Sequence, residues 1–140
     1  MLRIRSKDLD EIVSHCRRET PVEACGILGG RVTKADGAIV RDVLKVYTCG
    51  NELDSATEYR ISGEEQIQAF IDIERSGMEL LGFYHSHPRG GAMPSQVDRE
   101  RGNYIGYSYM IVSLSPTKVS SWVLGNEGFR EEEVQVIPDE

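Results

Sequence analysis

Two histidines separated by one residue, His85 and His87, stand in the stretch GFYHSHPRGGAMPSQVD, which runs from Gly82 to Asp98. On an extended strand, residues i and i+2 point to one face with Cα atoms about 6.5–7 Å apart. Two imidazoles at that spacing can converge on one zinc ion at about 2.0–2.1 Å per bond. Catalytic zinc usually takes three protein ligands and keeps a fourth position open, so the pair needs another donor. Asp98, eleven residues after His87, is the nearest credible oxygen ligand. A two-histidine, one-carboxylate site is the chemistry this spacing allows. The same residues also admit a plainer reading, because Pro94-Ser95-Gln96-Val97-Asp98 is an ordinary helix start, with Ser95 as N-cap and Asp98 as the acidic third-position residue.

Other metal motifs are missing. There is no H-E-x-x-H, Arg89 and Gly90 stand where an H-x-H-x-D-H motif needs aspartate and histidine, and no P-C-x-x-C follows as in zinc deaminases.

The elements that must position these residues can be read from periodicity. Met78 to His87 reads as a strand with Leu81, Phe83, His85 and His87 on one face. Pro88 to Pro94 is a loop in which Gly90-Gly91 supplies a flexible turn, and Ser95 opens a short helix that stops near Gly102. Upstream, Leu9, Ile12, Val13 and Cys16 recur at helical spacing between Ser6 and Arg18, with Ser6 placed to cap and His15 on the polar, exposed side. Ala24 to Gly30 is a short apolar run suited to a buried strand, with Glu23 at its threshold. Asp36-Gly37 signals a hairpin, so Ala38 to Tyr47 is expected to pair back on that strand. A polar loop precedes a short strand, Glu58 to Ile61. Ser62-Gly63-Glu64-Glu65 then forms a capping box for a helix to about Ser76 that buries Ile67, Phe70, Ile71 and Ile73. Three strands follow, at Tyr107–Leu114, Lys118–Leu124 and Phe129–Ile137. The succession predicts an α/β fold with one mixed sheet and helices packed on it.

Bulk composition bounds the function. A chain of 140 residues with 39% hydrophobic content has the size and apolar supply of one domain with one core. Its 16 basic against 23 acidic residues give a net charge of -7, which would repel a phosphate backbone, so nucleic acid is not an expected partner. Glu131, Glu132, Glu133, Asp139 and Glu140 are expected to form a solvated final strand and tail. Cys16, Cys25 and Cys49 include no C-x-x-C pair and fit neither a disulfide framework nor a cysteine zinc site. No stretch of about 18 apolar residues is present, so the expectation is a cytoplasmic protein without a membrane span.

His85-Ser86-His87-Pro88, six residues, Ser95, two residues and Asp98, together with Glu23 in PVEACGILGG, resemble the JAMM motif of the MPN-domain zinc metalloproteases. The resemblance spans nearly the whole chain and is nearest to compact prokaryotic members. It implies a curved mixed β-sheet flanked by helices, of the cytidine-deaminase-like class, as a single domain over residues 1–140. It also implies one zinc ion held by His85, His87 and Asp98, with Glu23 as general base on the zinc-bound water and Ser95 hydrogen-bonded to the developing oxyanion. The implied activity is that of a peptidase or isopeptidase that hydrolyses the amide after the C-terminal glycine of a ubiquitin-like or sulfur-carrier protein. The substrate tail would lie extended against a sheet edge near Met78 to His87. Two alternatives stay open: release of cysteine or another small amine from a carrier C-terminus, and an inactive MPN scaffold. The family's habit of pairing domains makes a homodimer an option. Spacing alone does not bring Glu23, 62 residues before His85, to the site, and Glu19 is a second carboxylate in the same region.

Overall fold

The computed structural model describes residues 1–139. Its elements are β1 (Leu2–Arg5), α1 (Ser6–Glu19), β2 (Cys25–Ala35), β3 (Ala38–Cys49), α2 (Gly63–Arg75), β4 (Glu79–His87), α3 (Gln96–Arg101), β5 (Ser108–Leu114), β6 (Thr117–Gly125), β7 (Gly128–Glu132) and β8 (Val134–Ile137). The strands form one sheet in the order β7-β6-β5-β4-β2-β3-β1-β8. Pairing is parallel between β4 and β5, β1 and β3, and β1 and β8, and antiparallel elsewhere. Asp36 and Gly37, at φ 52° and 79°, make the two-residue turn from β2 to β3 that the hairpin signal predicts. No helix among the described residues is long and apolar enough to cross a membrane.

The apolar run of β2 is buried on both faces because helices cover both. Leu28 and Ala24 join Ile12 and Cys16 of α1, Tyr84 of β4 and Met110 of β5 in one cluster. Cys25 and Ile27 join Ala69 and Ile73 of α2, Phe83 of β4 and Tyr109 of β5 in a second cluster. The single core expected from composition is thus two apolar layers with the sheet between them. All three cysteines are free and buried, and burial pushes the thiols of Cys16 and Cys49 up to about 12, where they are poor nucleophiles.

Several expectations are corrected. Leu2 and Ile4, both fully buried, make the amino-terminal residues a strand, which the pattern MLRIR was too short to announce. Arg5 rather than Ser6 occupies the N-cap of α1, without a side-chain cap. His15 is buried, because the inward stripe of α1 is Asp8, Ile12, His15 and Cys16 and His15 Nδ1 meets the hydroxyl of Tyr84 at 2.6 Å. On α2 the inward face is Gln66, Ala69, Phe70 and Ile73, while Ile67 and Ile71 are 60% and 39% exposed. Ala69 and Gly29 explain this rotation: a Cβ on Gly29 would meet Ile73 Cγ1 at 3.0 Å, so the small residues set the line of approach. Ser62 accepts from Glu65 N at 3.5 Å, but the Glu65 carboxylate turns away to accept from Gly50 N, so only half of the capping box forms. Glu58 to Ile61 is no strand; a single bridge joins Ile61 to Asn51. Leu81 leaves the face of Phe83, because the β2–β4 register passes from Leu28↔Gly82 to Gly29↔Leu80 and leaves Leu81 as a bulge residue packed with Tyr84.

The largest correction concerns the final strand, which divides at Glu133 into β7 and β8 at opposite edges of the sheet. Two residues apart in sequence, Glu132 and Val134 cannot be more than about 7 Å apart, so the sheet curls until its edges almost meet. Glu132 fills that corner rather than lying in solvent. Its Oε2 accepts from Ser108 Oγ at 2.6 Å and Ser121 Oγ at 2.7 Å, and its Oε1 faces the Met1 amine at 3.3 Å and Arg41 at 3.7 Å.

The β2–β4 contact yields a test. A Cβ on Gly26 would lie 2.1 Å from Tyr84 Cε2 and 2.4 Å from Tyr47 O, and Tyr84 is fully buried and anchored by His15. Gly26→Ala is expected to lower stability by about 2 kcal/mol or more, read from urea unfolding. An unchanged midpoint would show that this crossing is looser than described.

Candidate metal centre

His85 and His87 end β4, a strand whose partners on both sides are already hydrogen-bonded, β2 on one edge and β5 on the other. The period of two places both imidazoles on the α2 face, next to Phe83. Asp98 arrives from α3, whose start is fixed by a complete capping box. Asp98 N donates to Ser95 Oγ at 3.1 Å, and Ser95 N donates to Asp98 Oδ2 at 2.9 Å. The helix-start reading and the ligand reading therefore describe the same carboxylate.

The three donor atoms converge. His85 Nε2 and His87 Nε2 are 3.1 Å apart, and Asp98 Oδ2 lies 3.1 Å from the first and 3.0 Å from the second. Three donors of a tetrahedral ion with bonds of about 2.0–2.1 Å stand about 3.3 Å apart, close to this triangle. Tautomer chemistry makes the same point. His87 Nδ1 is 2.8 Å from Gly91 O, and a carbonyl only accepts, so the ring proton sits on Nδ1. In the neutral ring, Nε2 then turns a bare lone pair toward a carboxylate oxygen, an arrangement that a cation between them relieves. His85, His87 and Asp98 are all buried and can hold a metal ion together.

Two of the three donors are held in the protonation state a metal ligand needs. Burial holds His85 below its ordinary value despite the pull of Asp98, which keeps the ring neutral as a metal ligand must be. Burial alone would raise Asp98, but the His85 and His87 rings beside it and the Ser95 amide outweigh burial and hold the carboxyl well below the usual range. Burial likewise acts to lower His87, yet the Asp98 carboxylate and the Gly91 carbonyl beside it win and raise it, so that without a cation a proton on Nε2 competes for the place between ring and carboxylate.

Glu23 reaches the site through strand register. Cys25 pairs with His85, and Ser86 N donates to Ala24 O at 3.0 Å while Ala24 N donates to Ser86 Oγ at 2.8 Å. Continued by two residues, the antiparallel ladder sets Glu23 opposite His87 and on the same face. Glu23 is 3% exposed, and its Oε1 has no hydrogen-bond partner among the described residues. Glu19 instead sits at the end of α1, 3.9 Å from His15 Nε2, on the other face of the sheet.

Neighbours without a sequence signal complete the site. Tyr59 stacks on the His85 ring with centroids 4.5 Å apart and planes inclined by 22°. Ser120 Oγ and, at 3.3 Å, Trp122 Nε1 donate to Ala92 O, pinning the loop that presents the Gly91 carbonyl. A cavity of about 440 Å³ opens beside His85 and Asp98, walled by Tyr59, Phe83, Val97 and Tyr104. β4 itself offers no free edge to the substrate strand expected near Met78 to His87, because both of its sides are paired.

Fold and site together define a curled mixed-sheet domain with a two-histidine, one-carboxylate cluster at the end of a central strand. The chain belongs to the family described as prokaryotic homologs of the JAB domain, which it matches over residues 5–125, in agreement with the resemblance of its motif. A desampylase of Haloferax volcanii is 34% identical over 132 residues, covering 91% of this chain and 90% of that protein. A CysO-cysteine peptidase of Mycobacterium tuberculosis is 28% identical over 140 residues, covering 98% and 92%. Among solved structures, a Desulfitobacterium hafniense protein determined in solution superposes with a TM-score of 0.88 at 32% identity, covering 99% of this chain and 94% of that one.

The burial of Glu23 has a measurable consequence. Burial pushes its carboxyl from 4.5 up to about 8, with His87 opposing and Asp98 and Glu58 reinforcing the rise. Between those values the folded chain binds more protons than the unfolded chain, so this group costs stability as pH rises through the window. With chelator present, the stability of the wild type relative to Glu23→Gln is expected to fall from pH 5 to pH 8 and then level off. A difference that stays flat or grows with pH in parallel urea titrations would contradict this assignment.

Proposed function

We propose that residues 1–140 form one zinc-dependent peptidase domain that hydrolyses the amide bond after the C-terminal glycine of a ubiquitin-like or sulfur-carrier protein. The observation that carries this reading is the meeting of His85 Nε2, His87 Nε2 and Asp98 Oδ2 within 3.1 Å, with Glu23 delivered to the same face by the β2–β4 register. Relatives named as a desampylase and as a CysO-cysteine peptidase, each matched over most of its length, supply the substrate class.

In this reading His85, His87 and Asp98 hold the ion. When bound, zinc supplies Lewis acidity that polarises a carbonyl and lowers the pKa of water to about 7. Glu23 accepts a proton from the attacking water and returns it to the leaving amine, so no covalent acyl-enzyme is required. Its buried and unpartnered Oε1 suits a group that must exchange protons. Ser95 uses a lone pair to cap α3, which leaves its hydroxyl proton free to donate to the oxygen that gains charge as the carbonyl is attacked. The cavity beside His85 and Asp98 gives room for the reacting chain.

A second reading, release of cysteine or another small amine from a carrier C-terminus, is favoured by the mycobacterial relative, which this chain covers for 92% of its length. Both readings use the same residues. An inactive scaffold is the weaker account of a chain in which every motif residue is present and His85, His87 and Asp98 converge.

The test offers zinc-loaded protein two conjugates of one carrier, one joined to a protein lysine and one ending in a cysteine amide, with products identified by mass. Free carrier ending in glycine is expected from at least one, and which one decides between the readings. Glu23→Gln is expected to keep one zinc per chain and lose activity by about 10²–10⁴-fold. Cleavage of neither conjugate by the wild type would sink the proposal.

A further inference from the structure

One side chain outside the metal cluster uses all of its hydrogen-bonding capacity, and it does so around Glu23. Asn51 Oδ1 accepts from Leu53 N and Arg60 N, both at 3.0 Å, while Nδ2 donates to Glu58 O at 3.0 Å and to Glu23 O at 3.1 Å. The first three bonds draw the two ends of segment 51–60 together, and the fourth fastens that segment to Glu23. A second bond, from Glu23 N to Ser55 O at 2.8 Å, holds the same residue from its other backbone group. Glu23 lies before the first residue of β2, so these two bonds do for it what ladder bonds do for Cys25.

The segment has its own anchors. Glu52 N donates to Arg60 O at 2.8 Å, Ser62 N donates to Gly50 O at 3.0 Å, and Gly50 N donates to the Glu65 carboxylate at 2.9 Å. It also carries Tyr59, stacked on His85. One stretch of irregular chain therefore touches Glu23 through its backbone and the metal-facing strand through a ring.

We propose that Asn51 is a positioning residue for hydrolysis: it makes segment 51–60 a rigid clamp that fixes where the Glu23 carboxylate stands relative to His85, His87 and Asp98. This rests on the reading of Glu23 as the base. The physical need is plain, since a glutamate side chain is flexible and a displacement of about 1 Å of a reacting group can cost about 10²-fold in rate. Among the described residues Asn51 forms no hydrogen bond with His85, His87 or Asp98, so its influence acts through Glu23 and should appear in turnover rather than in metal retention.

The test compares Asn51→Asp and Asn51→Ala with the wild type, as full-length, zinc-loaded proteins. Aspartate keeps an oxygen for Leu53 N and Arg60 N but turns an acceptor toward the carbonyls of Glu23 and Glu58. Both variants are expected to lose about 30-fold or more in kcat, with KM and zinc Kd within about threefold of wild type. By NMR, read without substrate, the Glu23 amide is expected to exchange at least about tenfold faster, while the Ala24 amide, held by Ser86 Oγ, stays protected. The inference is overturned by a kcat within threefold of wild type, by unchanged Glu23 exchange, by a parallel loss of zinc affinity, or by variants that no longer fold cooperatively, which would make Asn51 a general stability residue. If the wild type cleaves no conjugate, or Glu23→Gln cleaves as fast as wild type, the functional reading fails instead, and the exchange arm still decides whether Asn51 holds Glu23.

Discussion

The meeting of Glu23 with the His85, His87 and Asp98 cluster depends on the antiparallel register between β2 and β4, in which Cys25 faces His85. A slip of one residue would send Glu23 to the α1 face while His85 and His87 stayed on the α2 face, and no side-chain adjustment could reunite them. The register is pinned by features that have no chemical role of their own. Tyr84 crosses Gly26 so closely that no side chain fits there, and Ser86 exchanges two hydrogen bonds with Ala24. The bulge at Leu81 absorbs the mismatch further along the strand, away from the histidines. The residues between the reactive ones, Ala24 and Ser86, are thus what hold the reactive ones in step.

The second organising idea is shared duty. Asp98 completes the capping box of α3 with the same oxygen that faces both imidazoles, and Ser95 caps with an acceptor while keeping its donor. Because α3 is only six residues long, its start has little cooperative support, and the capping pair is what gives it a fixed direction. The loop before it is held by carbonyls: Gly91 receives His87, and Ala92 receives Ser120 and Trp122. Rigid strands β4 and β6 therefore set the position of a glycine-rich loop that would otherwise be free.

What could be read in advance follows from how local each signal is. The histidine pair, the capping box at Ser95, the turn at Asp36-Gly37 and the helix that begins near Ser6 rest on contacts within a few residues, and their residue types announce them. The burial of His15 has no local signal, because the partner that buries it, Tyr84, is 69 residues away. Ile67 and Ile71 have helical spacing, but which stripe of α2 meets the sheet is decided by Ala69 and Gly29, two small residues that attract no notice as hydrophobes. Phe129 to Ile137 reads as one strand because both halves have strand character. Only the curl of the whole sheet gives each half a different partner. The stack of Tyr59 on His85 and the bonds of Asn51 to Glu23 depend on how an irregular loop folds back, for which periodicity has no vocabulary.

The junction at Glu133 also bears on how the chain acquires its shape. Leu2 pairs with Val134, and Leu2 N bonds Glu133 O at 2.8 Å, so the first strand gains its outer neighbour only when the last one is available. Closing a loop of that length costs entropy before any contact compensates for it. During synthesis the outer edge of β1 would wait unpaired until Val134 to Ile137 have emerged. Pairing with β8 covers the outer edge of β1 and leaves the four-residue β8 as the border of the sheet, a short template for any other chain.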